Sequence, residues 1–307
     1  MGKFIVRRLL QMIPVILGST FLIFLMVFIL PGDPTAGRCG ERACSPEYVA
    51  AFRAEYGLDK PFLVQYFLYL GRLLQGDLGT NFYGNSVVHE LAIRYPVTIR
   101  LALIALAFEA IVGIAAGVIA GIRKGKFIDS LITVSTLVII SIPVFVIGAI
   151  AQLVLGVQLG WFPVTATEGS WEQLILPGLV LGSLSVAYVS RLTRTTLVEN
   201  LRADYVRTAR SKGMSNSRAI GIHALRNSLV PVVTYIGASF GALMGGAIVT
   251  ERIFNINGIG FFIYRSITQR DGTSVVGAVV CLVIVYLIVN LFVDILYGVL
   301  DPRISHD

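Results

Sequence analysis

The chain has 307 residues, of which 55% are hydrophobic and 14% charged, and its mean hydropathy is +0.79. That composition excludes an ordinary soluble domain and indicates a polytopic membrane protein. The net charge of +7 is no argument for nucleic acid, because the excess Lys and Arg flank apolar runs, where membrane topology and anionic headgroups account for them.

Six runs reach the roughly 20 helical residues needed to cross a hydrocarbon core of about 30 Å: 9–30, 98–122, 130–156, 173–191, 229–250 and 275–298. Lys3, Arg7 and Arg8 precede the first. It is longer than a signal-peptide core and has no small-residue cleavage site before Leu30-Pro31-Gly32-Asp33-Pro34, so it reads as a retained span. Residues 1–30 form the first unit, and an external segment, 31–97, follows as a cap or lasso. In it Ser45-Pro46-Glu47 signals a helix start, with the helix ending near Gly57. Pro61 opens a second helix carrying Phe62, Tyr66, Tyr69 and Leu73 at helical spacing, and Gly76-Asp77-Leu78-Gly79 forces a turn. This aromatic-rich segment lies either on the membrane surface or against an external partner. Cys39 and Cys44 fall within it and are candidates for a local disulfide; Cys281 reads as a packing residue.

The remainder, 98–307, reads as a five-helix core. Gly113, Gly117 and Gly121 in the second span, and Gly237, Gly241 and Gly245 in the fifth, are spaced to let neighbouring helices approach closely. Pro143 and Pro177 interrupt the third and fourth spans, which a helical bundle tolerates. Two acids lie within spans. Glu109, midway along the second, is either a proton-coupling group or a hydrogen-bonded strut, whereas Asp294 lies near enough to one surface to pair with a basic group. Arg123, Lys124 and Lys126 follow the second span, and the 157–172 loop has neither Lys nor Arg. The positive-inside rule puts both termini and the 123–129 and 192–228 loops in the cytoplasm.

The 192–228 loop is the most informative part of the chain. The fourth span is predicted to continue as a helix through Val198, Leu201 and Tyr205 and to end at Lys212-Gly213; Ser215 then caps a short helix reaching Ile222. Such a basic glycine elbow offers a seat for a soluble partner and acts as a lever on the adjoining spans.

No catalytic, cofactor-binding or metal-binding set emerges. Gly121-Ile122-Arg123-Lys124-Gly125-Lys126-Phe127 lacks phosphate-loop spacing, His89, His223 and His306 are scattered, and no Gly-x-Ser-x-Gly turn is present. Any ATP used must therefore bind to another chain.

The stretch Asp204–Gly213, with His223, Leu225, Arg226, Asn227 and Pro231, resembles the coupling loop of the dipeptide/oligopeptide ABC transporter permease family, B-type (first permease) subunit. Generic importer loops begin Glu-Ala-Ala; here Arg207-Thr208-Ala209 takes that place and Gly213 the glycine that follows. Arg7-Arg8-Leu9, Leu30–Pro34, Gly57-Leu58-Asp59-Lys60-Pro61, Gly76–Gly79, Pro96-Val97-Thr98, Glu251-Arg252-Ile253-Phe254 and Leu300-Asp301-Pro302-Arg303 carry the likeness along nearly the whole chain. The resemblance implies an all-α, six-helix, type I ABC importer permease in the bacterial cell membrane, without catalytic residues. It implies as partners a homologous second permease, two ATPase subunits that hold ATP and magnesium, and an external substrate-binding protein, in addition to membrane lipid. Arg207, Thr208, Ala209, Gly213, Met214, Ser215, Ser217, Ile222, His223, Arg226 and Asn227 would form the ATPase-coupling loop. The rival reading, an ion-coupled secondary transporter, rests on Glu109 and the six spans, but the internal repeats common in such carriers are absent from the sequence.

Overall fold

The computed structural model describes residues 2–29, 44–57 and 59–300. These are mostly helical, with one isolated bridge, between Thr80 and Ser86. Leu30–Pro34, Cys39, Leu58 and the 301–303 motif lie outside the described residues, and so therefore does the Cys39–Cys44 pairing.

The first span is α1 (Gly2–Ile29). The external segment then supplies α2 (Pro46–Tyr56) with the predicted ends: the Tyr48 amide donates to Ser45 Oγ at 3.2 Å, and Gly57 closes the helix at φ +65°. Next comes α3 (Phe62–Leu74), which turns Tyr66 and Tyr69 into the protein.

The second span begins earlier than predicted. Its helix, α4 (Val87–Ile122), has 36 residues and runs unbroken through Pro96 and across the expected boundary at 97–98. At 1.5 Å per residue it is about 54 Å long, well over the bilayer core.

The third run is not one straight helix. It divides into α5 (Phe127–Ser141) and α6 (Val144–Ala151), the latter continuing as a π-helical segment (Gln152–Gln158), and the two halves are bent by 100°. Ile142 and Pro143 mark the break and make it possible. A residue before proline is driven out of the α region, and Ile142 sits at φ −96°, ψ 126°; Pro143 then restarts the helix without an amide hydrogen of its own. In α7 (Ile175–Leu201), by contrast, Pro177 occupies the first turn, where its missing donor costs nothing.

Two further expectations are corrected between the fourth and fifth spans. α7 stops at Leu201, and a separate α8 (Asp204–Ser211) starts after Ala203 adopts an extended conformation (ψ 148°). The short helix after Ser215 has no end at Ile222: α9 (Asn216–Arg218) passes through a π-helical turn (Ala219–Leu225) into α10 (Arg226–Ile253). The chain then forms α11 (Ile259–Thr268), which the sequence reading omitted, and α12 (Gly272–Leu300). Among the described residues five helices are long and apolar enough to cross a membrane, six if the bent pair counts as one span.

The α4–α7 contact organises the bundle. A side chain at Gly113 would stand 2.7 Å from Val189, and one at Gly117 would stand 2.5 Å from the Ser190 carbonyl oxygen and from Thr193. Gly178 and Gly182 on α7 return the arrangement, facing Ile104 and Ala105 of α4. Small residues thus keep the two backbones close along most of their length. In the fifth span Gly237 faces Val293 and Gly241 faces Tyr286 of α12, whereas nothing lies within 4 Å of a side chain built at Gly245.

Candidate functional site: the 204–225 elbow and its seat

The elbow forms as the sequence requires. Gly213 has φ +86°, the left-handed region that favours glycine. Its amide donates to the Arg210 carbonyl at 2.9 Å, and the Met214 amide donates to the Ala209 carbonyl at 3.2 Å. This is the paired hydrogen-bond pattern of a Schellman helix end, and the hydrophobic contact that accompanies it comes from Met214.

Met214 belongs to a compact apolar cluster. Leu197, Val206, Ala219 and Ala224 are buried together, with Val118, Leu201 and Met214 packed around them. Residues from α4, α7, α8 and the π-helical turn therefore form one seat, and a push on the elbow reaches the ends of α4 and α7 directly. Two polar locks tie α7 to the same end of the bundle, and a third fixes the turn beside it. The Arg194 guanidinium donates Nε to Asp129 Oδ1 at 2.5 Å and Nη2 to Oδ2 at 2.8 Å, which joins α7 to α5. The Gly125 amide donates to the same carboxylate at 2.8 Å, fixing the α4–α5 turn. Thr196 and Ser228 bind reciprocally, each hydroxyl donating to the other's carbonyl at 3.0 and 3.2 Å, and so join α7 to α10.

The predicted coupling residues divide by direction. Arg207, Thr208, Ser215, Ser217, Ile222, Arg226 and Asn227 are exposed, as is the Gly213 backbone. Ala209 is buried, and Met214 and His223 are half-buried, so these three do not belong to the outer surface. Arg207 lies 3.7 Å from Asp204. Tyr205 is 40% exposed, and its hydroxyl donates to Asn200 Oδ1. The outer surface therefore has Tyr205 and Ile222 as exposed apolar groups, with Arg207, Arg210, Lys212, Arg218 and Arg226 exposed around them. A basic rim around exposed apolar side chains suits an acidic groove on a partner.

Because open space surrounds Gly213, a substitution there acts through the backbone alone. Gly213→Val is expected to loosen the elbow, at a conformational cost of about 1–2 kcal/mol in the left-handed region, so that the amides of 210–214 exchange with deuterium at least about fivefold faster. Gly213→Asn, which tolerates that conformation, should retain most of the protection. Equal protection in the Val variant and the wild type overturns the elbow assignment.

At the opposite end of the bundle, the sequence reading missed a buried latch. Glu251 near the end of α10 is fully buried, with Thr98 Oγ1 donating to its Oε1 at 2.7 Å and the Phe261 amide donating to its Oε2 at 2.8 Å. The Ile259 amide donates to Thr98 Oγ1 at 2.9 Å, so the carboxylate and hydroxyl together cap the first turn of α11. A side chain at Gly258 would collide with this carboxylate. The Glu251-Arg252-Ile253-Phe254 motif signalled the place, but not that its acid reaches forward ten residues.

Glu109 is fully buried, with the Ser239 hydroxyl of α10 donating to its Oε1, which ties α4 to α10. Asp294 pairs with Arg8 at 3.3 Å, which satisfies the expectation of a basic partner.

Two family profiles cover the chain: "Binding-protein-dependent transport system inner membrane component" matches residues 113–306, and the N-terminal profile of the same system matches 1–102. Among curated relatives, the di/tripeptide transport system permease protein DppB of Pseudomonas aeruginosa is 38% identical, covering 100% of this chain and 99% of its own. The dipeptide permease DppB of Escherichia coli is 37% identical, again over 100% and 99%. The glutathione transport system permease GsiC of Salmonella typhimurium is 36% identical over the full length of both chains. Among solved structures, an inward-facing MetNI methionine ABC transporter matches with a TM-score of 0.58 at 15% identity, over 69% of this chain and 96% of that one. An amino acid ABC transporter with histidines matches at 0.50 and 19% identity, over 70% and 94%. These structural likenesses bear on the fold alone.

Proposed function

Because the chain belongs to the family of binding-protein-dependent transport system inner membrane components, we propose that it is the first permease subunit of an ATP-binding-cassette importer for dipeptides or short oligopeptides. It is a non-catalytic, multi-pass subunit of the bacterial membrane. ATP is hydrolysed by partner ATPases, which hold the nucleotide and magnesium, and cargo arrives on an external substrate-binding protein. A homologous second permease completes the translocation path, and two ATPase subunits seat on the paired coupling loops. Both termini and the 204–225 elbow face the cytoplasm, which places Glu251 and α11 on the external side.

The observation that carries this reading is the elbow's seat. One surface of the 204–225 segment is buried against Val118 and Leu197, and the other is open and basic. Closure of the ATPases on ATP displaces the open surface, and the seat passes that displacement to α4 and α7. Alternating access then follows from the partners' different affinities for the two arrangements of the bundle.

The direction of each side chain supplies the test. A cysteine at exposed Ser217 is expected to crosslink to an ATPase subunit in the assembled complex and to lose reactivity toward bulky aqueous thiol reagents on assembly. A cysteine at Met214, turned into the seat, should do neither. No crosslink at Ser217, with its labelling unchanged by assembly, refutes the contact.

A further inference from the structure

We infer that α3 is a membrane-embedded helix, with its outer face covered by lipid of the leaflet opposite the 204–225 elbow. This commits the open choice between membrane surface and external partner to lipid. The inference rests on the membrane-spanning reading of the chain.

The first observation is that α3 is apolar on two faces. Phe62, Tyr66, Tyr69 and Leu73 pack inward with Phe21 and Phe24 of α1 and with Val276, Val280 and Ile284 of α12. The other face carries Leu63, Phe67 and Leu74, which are 59%, 67% and 89% exposed, flanked by exposed Val64 and Leu68. Leu63, Phe67 and Leu74 follow helical spacing and form a stripe. A face of this kind in water would be a large unprotected apolar patch, which water-facing surfaces rarely keep. Arg72, in the last turn, is the helix's single charged residue, and the Gln65 side chain is already occupied by the Lys60 carbonyl at 2.7 Å.

The second observation is depth. The Arg8–Asp294 pair is part-exposed and lies toward the elbow end of α1 and α12, so it marks one edge of the bilayer. The Tyr66 hydroxyl donates to the Leu17 carbonyl at 2.9 Å and lies 3.0 Å from Thr20 Oγ1, while the ring centroids of Phe24 and Tyr69 are 5.4 Å apart. Counted from Arg8 to Leu17 and Phe24, and from Asp294 to Val280 and Val276, these contacts stand about 13–27 Å above the pair at 1.5 Å per residue. That range falls inside a hydrocarbon core of about 30 Å and reaches its far boundary. An external cap standing in water would meet α1 and α12 at their tips. Helix α3 instead rests on their flanks, and beside it α1 exposes Leu17, Leu22 and Met26. At 13 residues the helix is too short to span, so it lies as an apolar wedge in one leaflet. The external segment 31–97 is thereby held by α1 at its start and by the lipid-bedded α3 in its middle.

Site-directed spin labelling in the assembled transporter, reconstituted in phosphatidylcholine–phosphatidylglycerol vesicles on a Cys281→Ala background, tests this. Labels at Leu63→Cys and Phe67→Cys are expected to collide with oxygen in preference to the water-soluble nickel chelate, to the degree seen at Ile13→Cys on the exposed flank of α1. Preference for the chelate at both sites overturns the proposal in favour of an aqueous cap. Exclusion of both reagents overturns it in favour of a protein partner. The Ile13 label reports separately on the spanning reading: if it too prefers the chelate, that reading fails, not the placement of α3.

Discussion

Replacing Gly117 by leucine is expected to eliminate assembled transporter from the membrane. A side chain there meets the Ser190 carbonyl and Thr193 at 2.5 Å, and the carbonyl belongs to helical backbone that cannot swing aside. Overpacking in a well-filled interior costs about 1–3 kcal/mol even where side chains relax. Here relief requires α4 and α7 to separate, which also removes the contacts at Gly113, Gly178 and Gly182. Gly245→Ala is the matched control, because open space surrounds that glycine. The quantity to measure is the amount of complex recovered by affinity purification through an ATPase subunit. Recovery of the Gly117→Leu complex at the level of the Gly245→Ala complex would contradict the packing described here.

Removing the Glu251 carboxylate should have the next largest effect, at the other end of the bundle. In Glu251→Ala the Thr98 hydroxyl and the Phe261 amide lose their acceptor in a fully buried place. A hydrogen bond contributes about 0.5–1.5 kcal/mol net, and a donor orphaned in a buried place costs about 1–3 kcal/mol in desolvation. The expected result is a loosened α11: amides of Ile259–Ile263 should exchange with deuterium at least tenfold faster, since about 1.4 kcal/mol corresponds to a factor of ten. Glu251→Gln keeps one acceptor but sets an amide against a donor, so its exchange should fall between the two. Unaltered protection in Glu251→Ala means that α11 is held by its apolar contacts alone.

The two ends of the bundle differ in how far the sequence disclosed them. The elbow was readable because its signals are local: Lys212-Gly213 within a basic, helix-forming stretch specifies a left-handed helix end, and φ +86° at Gly213 is the outcome. Which residues of the loop face a partner was not readable. Met214 turns inward because Leu197 and Val118, the latter nearly a hundred positions away, provide the apolar seat. The latch was hidden for the same reason, since Thr98 and Glu251 are separated by 153 positions.

By itself the sequence determined the membrane-spanning all-helical class, the approximate spans, both ends of α2, the glycine ladders apart from Gly245, the elbow and the family, because each depends on hydrophobic length, helical period or a residue's own backbone preference. Tertiary structure alone decided the 100° bend that Pro143 only permits, the early start of α4, the docking of α11 and the pairing of Asp129 with Arg194. Each of these depends on the free energy of contacts between distant segments, where burial and pairing outweigh the tenths of a kcal/mol per residue that separate local propensities.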